Sequence, residues 1–129
     1  MSTPPSKGRR IAGHVLSSLV ALVLVGSSVG KLLHAAPIVE NFKHFEVSES
    51  LVTVIGIIEL GCAVLSIVPW TRFFGVILIT GYMGGAVLTH LRIGEPVIAQ
   101  VLIGVVAWTG LALRDPRVLE AAFRSPPKG

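Results

Sequence analysis

Apolar residues along the chain fall into four long blocks, separated by short segments that hold most of the polar and charged residues. The blocks cover residues 11–33, 51–68, 73–91 and 97–113. Each block has about the 17 to 25 residues that a helix needs to cross the hydrocarbon core of a bilayer. Because lipid offers no hydrogen-bond partners to free backbone groups, each block is predicted to be a helix. The pattern therefore predicts an all-α fold, a four-helix transmembrane bundle.

The connections between the blocks set the order of the helices. Residues 69–72 and 92–96 each contain a proline, which ends a helix, and both are short enough to make the second, third and fourth helices antiparallel neighbours. Residues 35–50 form a longer connection with a pattern of their own. After Pro37, apolar side chains recur at helical spacing opposite polar ones: Ile38, Val39, Phe42 and Phe45. We predict an external amphipathic interfacial helix between helices 1 and 2, either a simple connector or a lid or docking surface.

Composition and charge add a direction to this topology. Of the 129 residues, 52% are hydrophobic and 14% are charged, against a charged fraction of about 25% in soluble domains. Eight of the eleven Lys and Arg residues fall on the side of the two termini, and only Lys31, Lys43 and Arg92 fall on the other. Since Lys and Arg in short loops are retained in the cytoplasm, both termini are predicted to be cytoplasmic. The basic residues lie at block ends and not along a helix face, so no nucleic-acid partner is expected.

The same pattern divides the chain into three segments. Residues 1–10 are predicted to be a disordered cytoplasmic arm, residues 11–113 the membrane domain, and residues 114–129 a cytoplasmic tail. The first block is longer than the apolar region of a signal peptide and ends without a small-residue cleavage site, so it is expected to remain as a span. The single cysteine, Cys62, excludes an internal disulfide and a thiol redox pair. We expect a multi-pass protein in the lipid bilayer of a bacterial-type inner (plasma) membrane.

Two ionisable residues are predicted to lie inside the bundle. Glu59 is the ninth residue of the second block, near the bilayer midplane, where a charged group is costly and faces a partner or a cavity. Lys31 lies about one turn from the external end of the first block. Its long stem allows two arrangements: it snorkels outward to the membrane surface, or it reaches inward to pair with Glu59.

An outward-facing pocket is predicted from polar groups that share the outer half of the bundle. They are Lys31, Glu59, Tyr82, Thr89, His90 and Gln100. His34 and His90, on different helices, are candidate haem ligands, but each is equally a polar residue at a helix end, and zinc would need three or four ligands at one depth. No metal site is therefore predicted. A midplane carboxylate also occurs in proton-coupled transporters, which keeps a small transporter as an alternative.

Several short motifs are similar to those of a known family. They are Gly30-Lys31-Leu32 at the end of the first helix, Ala36-Pro37 in the external segment, Ile58-Glu59-Leu60 in the second helix, and TGYMGGAVLTHLRIGEP at residues 80–96. Over residues 11–113 the chain resembles the DoxX-like family of small four-helix membrane proteins. The resemblance singles out Lys31, Glu59, Thr89 and His90, which the burial argument also selects.

What the resemblance implies about function is broad. Some members are similar to subunits of thiosulfate:quinone oxidoreductase, others are associated with membrane redox and oxidative-stress complexes, and distant relatives resemble membrane chaperones. The resemblance implies an accessory subunit of a membrane redox system, or a binder of a small lipophilic ligand, with redox-complex subunits as candidate partners. A quinone is the candidate ligand, and Lys31 and His90 are candidate donors to its carbonyl oxygen.

Two alternatives belong to other functional classes. One is a chaperone-like structural or assembly module with a buried Lys–Glu pair, and the other is the small proton-coupled transporter. A homo-oligomer is a further candidate assembly, since four helices are enough for half of a dimeric pore. The sequence holds no autonomous catalytic constellation, so enzymatic activity is not expected.

Overall fold

The computed structural model describes residues 3–127 and 129, and this part of the chain is all-helical, without strands. It contains six helices: α1 Lys7–Leu32, α2 Ala36–His44, α3 Ser50–Ile67, α4 Arg72–Leu91, α5 Ile98–Arg114 and α6 Arg117–Phe123. The four apolar blocks correspond to α1, α3, α4 and α5, and the amphipathic segment corresponds to α2. The predicted all-α class is confirmed.

Helix α1 begins before the apolar block does. Its first residue is Lys7, and Ser6 caps the helix by accepting a hydrogen bond from the Arg9 backbone N–H at 3.3 Å. Residues 7–10 were expected within a disordered arm but are helical, because the serine cap satisfies one of the free N–H groups of the first turn. Met1 and Ser2 of that arm, and Lys128 of the predicted tail, lie outside the described residues.

The four long helices pack against one another in pairs. Each of α1 and α4 contacts both α3 and α5. One side chain from each long helix is at most 1% exposed at the centre of the resulting core: Leu24, Ala63, Ile79 and Leu111. The core therefore lies between the long helices and draws on all four of them.

Two glycines allow these helices to approach closely. A Cβ atom at Gly75 of α4 would collide with the backbone of Ser66 in α3. A Cβ atom at Gly110 of α5 would lie 3.0 Å from the backbone nitrogen of Ser17 in α1. Small residues at helix crossings let backbones pack at short range, which is how helices associate in lipid. These two contacts fix α4 against α3 and α5 against α1.

Large apolar side chains cover the outside of the long helices. Leu22, Ile57 and Ile98, for example, are 69%, 58% and 70% exposed. Helices α1, α3 and α4 are each long and apolar enough to cross a membrane. α5 has 17 residues and is followed, after a bend of 110°, by α6. The described residues thus hold three candidate spans, or four if the bent pair counts as one.

Helix α2 joins α1 to α3 and lies between two residues with positive φ, His34 at 50° and Glu46 at 57°. Pro37 lies in its first turn, where the missing N–H costs no helical hydrogen bond. The Ile38 side chain lies over Gly30 of α1, where a Cβ atom would leave it no room. α2 is thereby held beside the end of α1.

Candidate functional site

Lys31 and Glu59 form an ion pair between α1 and α3. Lys31 Nζ lies 2.7 Å from Glu59 Oε2, and the two side chains are 10% and 3% exposed. Of the two arrangements open to Lys31, the structure has the inward one. The ammonium group donates to the carboxylate and also to Ser27 Oγ, one turn earlier in α1. Because burial removes most of the solvent screening, each charge is stabilised mainly by the other.

Gly56 of α3 lets the two helices approach at this point. A Cβ atom there would lie 3.0 Å from Lys31 Cβ and 3.4 Å from Leu32 Cγ. Residues three apart lie on the same face of a helix, so Glu59 follows Gly56 along the surface that faces α1. The close crossing brings its carboxylate within reach of the ammonium group.

A cavity of about 450 Å³ opens beside the ion pair. Its volume falls within the range of about 300 to 1,000 Å³ typical of small-molecule sites. Among its polar lining groups are Lys31 from α1 and Tyr82, Thr89 and His90 from α4. The wall is otherwise largely apolar, with Ile38, Phe42, Phe45, Ile55, Ile58 and Ala86. The arrangement suits a molecule that is mostly apolar and carries one or two polar atoms.

Helix α2 forms one wall of this cavity and is tied to the end of α4. The ring of Phe45 lies 4.7 Å from the ring of His90, measured between centroids. His44 Nε2 lies 3.1 Å from Oε1 of Glu95, in the connection between α4 and α5. These contacts hold the apolar face of α2 against the cavity.

Both ring nitrogens of His90 are engaged by the protein. Nδ1 lies 2.8 Å from the carbonyl oxygen of Ala86, so Nδ1 carries the proton of the neutral ring. Nε2 is then left to accept a hydrogen bond from Gln100 Nε2, at 3.1 Å. Neither nitrogen is free to donate to a ligand. Of the two donors expected for a carbonyl oxygen, Lys31 alone keeps that role in this arrangement, and His90 contributes its ring to the wall.

Two of the six predicted site residues lie behind the cavity wall. Glu59 does not line the cavity but bonds to Lys31, which does, and Gln100 likewise bonds to His90. Gln100 borders a separate groove between α4 and α5, and its Oε1 is buried without a hydrogen-bond partner among the described residues. The structure thus brings four of the six residues to the cavity and leaves two as their supports.

Asn41 lies on the cavity wall although the sequence did not single it out. It is three residues after Ile38 and four before Phe45, so it shares their helix face. That spacing is the signal that could have found it. His44 was also missed as the partner of Glu95, because no local pattern relates two residues that are 51 positions apart.

The remaining polar groups of the outer half serve separate contacts. His34 lies 2.8 Å from Thr53 Oγ1 of α3, whereas His90 is bonded to α5. Within residues 3–127 and 129, no three His, Cys, Asp or Glu side chains are grouped so as to hold a metal ion. Cys62 is buried in the core between the long helices.

Apolar helices long enough to cross a membrane, with an ion pair and a cavity between them, define a small helical membrane protein. The model of the DoxX-like family matches residues 15–113, from α1 to α5, and the match includes all six predicted site residues. The chain belongs to the DoxX-like family, as its motifs predicted. Neither the curated proteins nor the solved structures gave a match.

Proposed function

We propose that α1, α3, α4 and α5 cross a bacterial-type inner membrane as a four-helix bundle, with both termini in the cytoplasm. The charge distribution supports this orientation, since eight of the eleven Lys and Arg residues lie on the side of the termini. The 17 residues of α5 are within the length that a span requires. In this topology α2 lies at the outer surface, and the cavity opens toward the outer leaflet.

Within this topology, the function that the geometry supports best is binding of a small lipophilic molecule with a carbonyl group. The supporting observation is an apolar cavity of about 450 Å³ that contains one ammonium group. Lys31 uses two of its three N–H donors on Glu59 and Ser27, which leaves one for a ligand. Because Glu59 already balances the charge of Lys31, a neutral ligand fits better than an anion. A quinone meets these requirements.

Membership of the family supports the proposal of a redox setting. Some DoxX-like members are associated with membrane redox complexes, and this chain brings no thiol pair of its own. The protein is therefore proposed to act as an accessory subunit that holds a quinone for neighbouring redox-complex subunits.

Two adjacent glycines of α4 allow a direct test of ligand binding. Gly85 lines the cavity, and a Cβ atom there would meet nothing within 4 Å, so the side chain of Gly85→Leu is expected to fill part of the cavity. Gly84 is equally open but faces the groove between α4 and α5, so Gly84→Leu is the matched control. Short-tailed quinone analogues are expected to raise the thermal denaturation midpoint of the wild type and of Gly84→Leu, but not of Gly85→Leu.

The size of that shift follows from mass action. A ligand at one hundred times its dissociation constant stabilises the folded state by about 2.7 kcal/mol. Equal stabilisation of all three proteins would show that quinones act outside the cavity. An unchanged midpoint for the wild type would remove the proposal.

The ion pair supports a second candidate, a chaperone-like structural or assembly module. Lys31 and Glu59 are nearly inaccessible and meet where Gly56 brings α1 and α3 together, which suits a pair that fixes helix register. Such a module requires no ligand. The two candidates therefore differ in one measurement: under the second, quinone analogues leave the denaturation midpoint of every variant unchanged.

A further inference from the structure

The end of the molecule that carries the chain termini is strongly basic. Residues 1–10, 69–72 and 114–129 hold eight of the eleven Lys and Arg residues but only two of the seven acidic ones. The ends of three helices meet here: Arg72 Nη2, at the start of α4, lies 3.5 Å from Oδ2 of Asp115, next to Arg114 at the end of α5, and the Arg114 side chain packs over Gly13 of α1. A concentration of like charge at one site is unfavourable unless an anion balances it.

Arg114 has hydrogen-bond donors that the protein does not use. Its Nε donates to the carbonyl oxygen of Gly110 at 3.3 Å. Its Nη2 is buried and has no hydrogen-bond partner among the residues that the structure describes. The side chain packs closely over Gly13 of α1, where a Cβ atom would collide with it. The Arg114 side chain is half-buried, and an unmet donor at its buried Nη2 is costly, so an acceptor from outside would stabilise this arrangement.

Asp115, the acidic residue nearest to Arg114 in the chain, is already occupied. Arg117 donates to both of its carboxylate oxygens at 2.8 Å, and Arg72 Nη2 lies 3.5 Å from Oδ2. The hydrogen bonds from Arg117 lower the pKa of Asp115 to about 2. The other acidic residue of this end, Glu120, is exposed on α6. Two guanidinium groups, those of Arg72 and Arg117, thus share this carboxylate, and that of Arg114 has no carboxylate partner among the described residues.

An apolar groove of about 480 Å³ begins beside this cluster. It lies between α6 and the ends of α4 and α5, and its wall includes Phe73, Trp108 and Val118. Phe73 directly follows Arg72, and Val118 directly follows Arg117. Because α6 turns by 110° from α5, the groove and the guanidinium groups lie at the same end of the helices.

We propose that this end of the protein is a binding site for an anionic phospholipid, separate from the cavity at the opposite end. Arg72, Arg114 and Arg117 hold the lipid phosphate, because the planar guanidinium group donates paired hydrogen bonds to phosphate oxygens. The groove beside α6 takes an acyl chain. The combination of excess positive charge, an unmet buried donor and an adjoining apolar groove matches the two parts of one lipid molecule.

Lipid titration of the purified full-length protein tests this site. Phosphatidylglycerol and phosphatidylcholine are added to the protein in detergent, and bound lipid is counted by native mass spectrometry. The variant Arg72→Gln with Arg114→Gln removes two cations of the cluster. Its control, Lys43→Gln with Arg92→Gln, removes two exposed cations at the opposite end. Phosphatidylglycerol is expected to bind the first variant at least about tenfold more weakly than it binds the wild type, since a charge-assisted hydrogen bond contributes about one factor of ten. Its affinity for the control variant is expected to equal that for the wild type.

Three results would overturn the proposal. The first is equal loss of phosphatidylglycerol in both charge variants, which would reflect net charge alone. The second is equal retention of phosphatidylglycerol and phosphatidylcholine by the wild type. The third is that inorganic phosphate stabilises the wild type against heat as much as the lipid does, which would identify a free anion as the ligand. If the double variant does not fold, Asp115→Asn decides: it removes the competing carboxylate, and several-fold tighter phosphatidylglycerol binding is expected, whereas unchanged or weaker binding contradicts the site.

Discussion

Removing one charge of the buried pair is expected to destabilise the protein far more than removing both. Glu59→Leu leaves the Lys31 ammonium group with Ser27 as its remaining partner, and Lys31→Met leaves the Glu59 carboxylate in the middle of α3. Both replacements roughly conserve side-chain volume, so packing changes little. The combined variant removes both charges and leaves an apolar contact between α1 and α3.

The expected magnitude follows from the geometry. Two unit charges 2.7 Å apart attract by roughly 6 kcal/mol at an effective dielectric constant of about 20. Burial costs each ion several kcal/mol, which offsets most of this attraction. Each single variant forfeits the attraction but keeps one desolvated charge, so it is expected to lose about 3 to 5 kcal/mol. The double variant is expected to lie within about 1 kcal/mol of wild type, or above it.

The position of the two residues predicts an asymmetry between the single variants. Lys31 is the second-last residue of α1, so an unpaired ammonium group can turn outward and recover water. Glu59 lies in mid-helix and has no such route. Glu59→Leu is therefore expected to cost less than Lys31→Met at neutral pH.

Reversible unfolding by sodium dodecyl sulfate in mixed micelles, followed by circular dichroism, measures these free energies. The matched control is the exposed pair Lys43–Glu40 on α2, whose atoms are 3.5 Å apart and whose side chains are 62% and 73% exposed. Its removal is expected to cost less than about 1 kcal/mol. Two results would contradict this reasoning. One is a double variant whose unfolding free energy is no higher than that of the less stable single variant. The other is an equally small loss of unfolding free energy on removal of the buried pair and of the exposed pair.

Three further predictions concern other parts of the molecule. Gly75→Ala is expected to lower the unfolding free energy by about 1 to 3 kcal/mol because its Cβ collides with the backbone of α3, whereas Gly61→Ala, with open space around it, should be neutral or stabilising. The stability contributed by Asp115, whose pKa is lowered to about 2 by the neighbouring arginine side chain, should be complete above its ordinary pKa of 3.8 and be lost as pH falls toward 2. An Asp115→Asn protein should lack that part of the acid transition. Nitrogen NMR should find the proton of neutral His90 on Nδ1, and a proton on Nε2 would contradict the hydrogen bond from Gln100.

The positions of the helices along the chain were largely predictable, because a helix that can cross a lipid bilayer needs a long and mostly apolar block. The apolar blocks predicted the first and last residues of each long helix to within about one turn. The exception is the start of α1, which the Ser6 cap extends toward the N-terminus. The family was also predictable from the four short motifs, all of which lie within the residues that the family model matches. The 110° bend between α5 and α6 could not be predicted from hydropathy, because hydropathy carries no information on the direction of a helix axis.

The candidate site was less predictable, because depth along a helix is easier to infer than the face that a side chain occupies. Lys31, Tyr82, Thr89 and His90 lie in the same half of the bundle and also line one cavity. Gln100 lies in that half too, but it borders the groove between α4 and α5. The contacts of the external segment could not be predicted without the position of α2. That position depends on positive φ angles at His34 and Glu46, which the sequence pattern does not indicate.

The order of Lys31 and Glu59 along the chain has a consequence for how the protein is made. Lys31 precedes Glu59 by 28 residues, so the ribosome releases α1 before α3. A carboxylate at the centre of an isolated helix opposes membrane insertion by about 3 kcal/mol. When α3 inserts into the membrane, Lys31, the counter-ion of Glu59, is already present at the end of α1. Chain order thus provides a counter-ion for Glu59 as α3 inserts, and a circular permutant that begins at α3 is expected to lose this advantage.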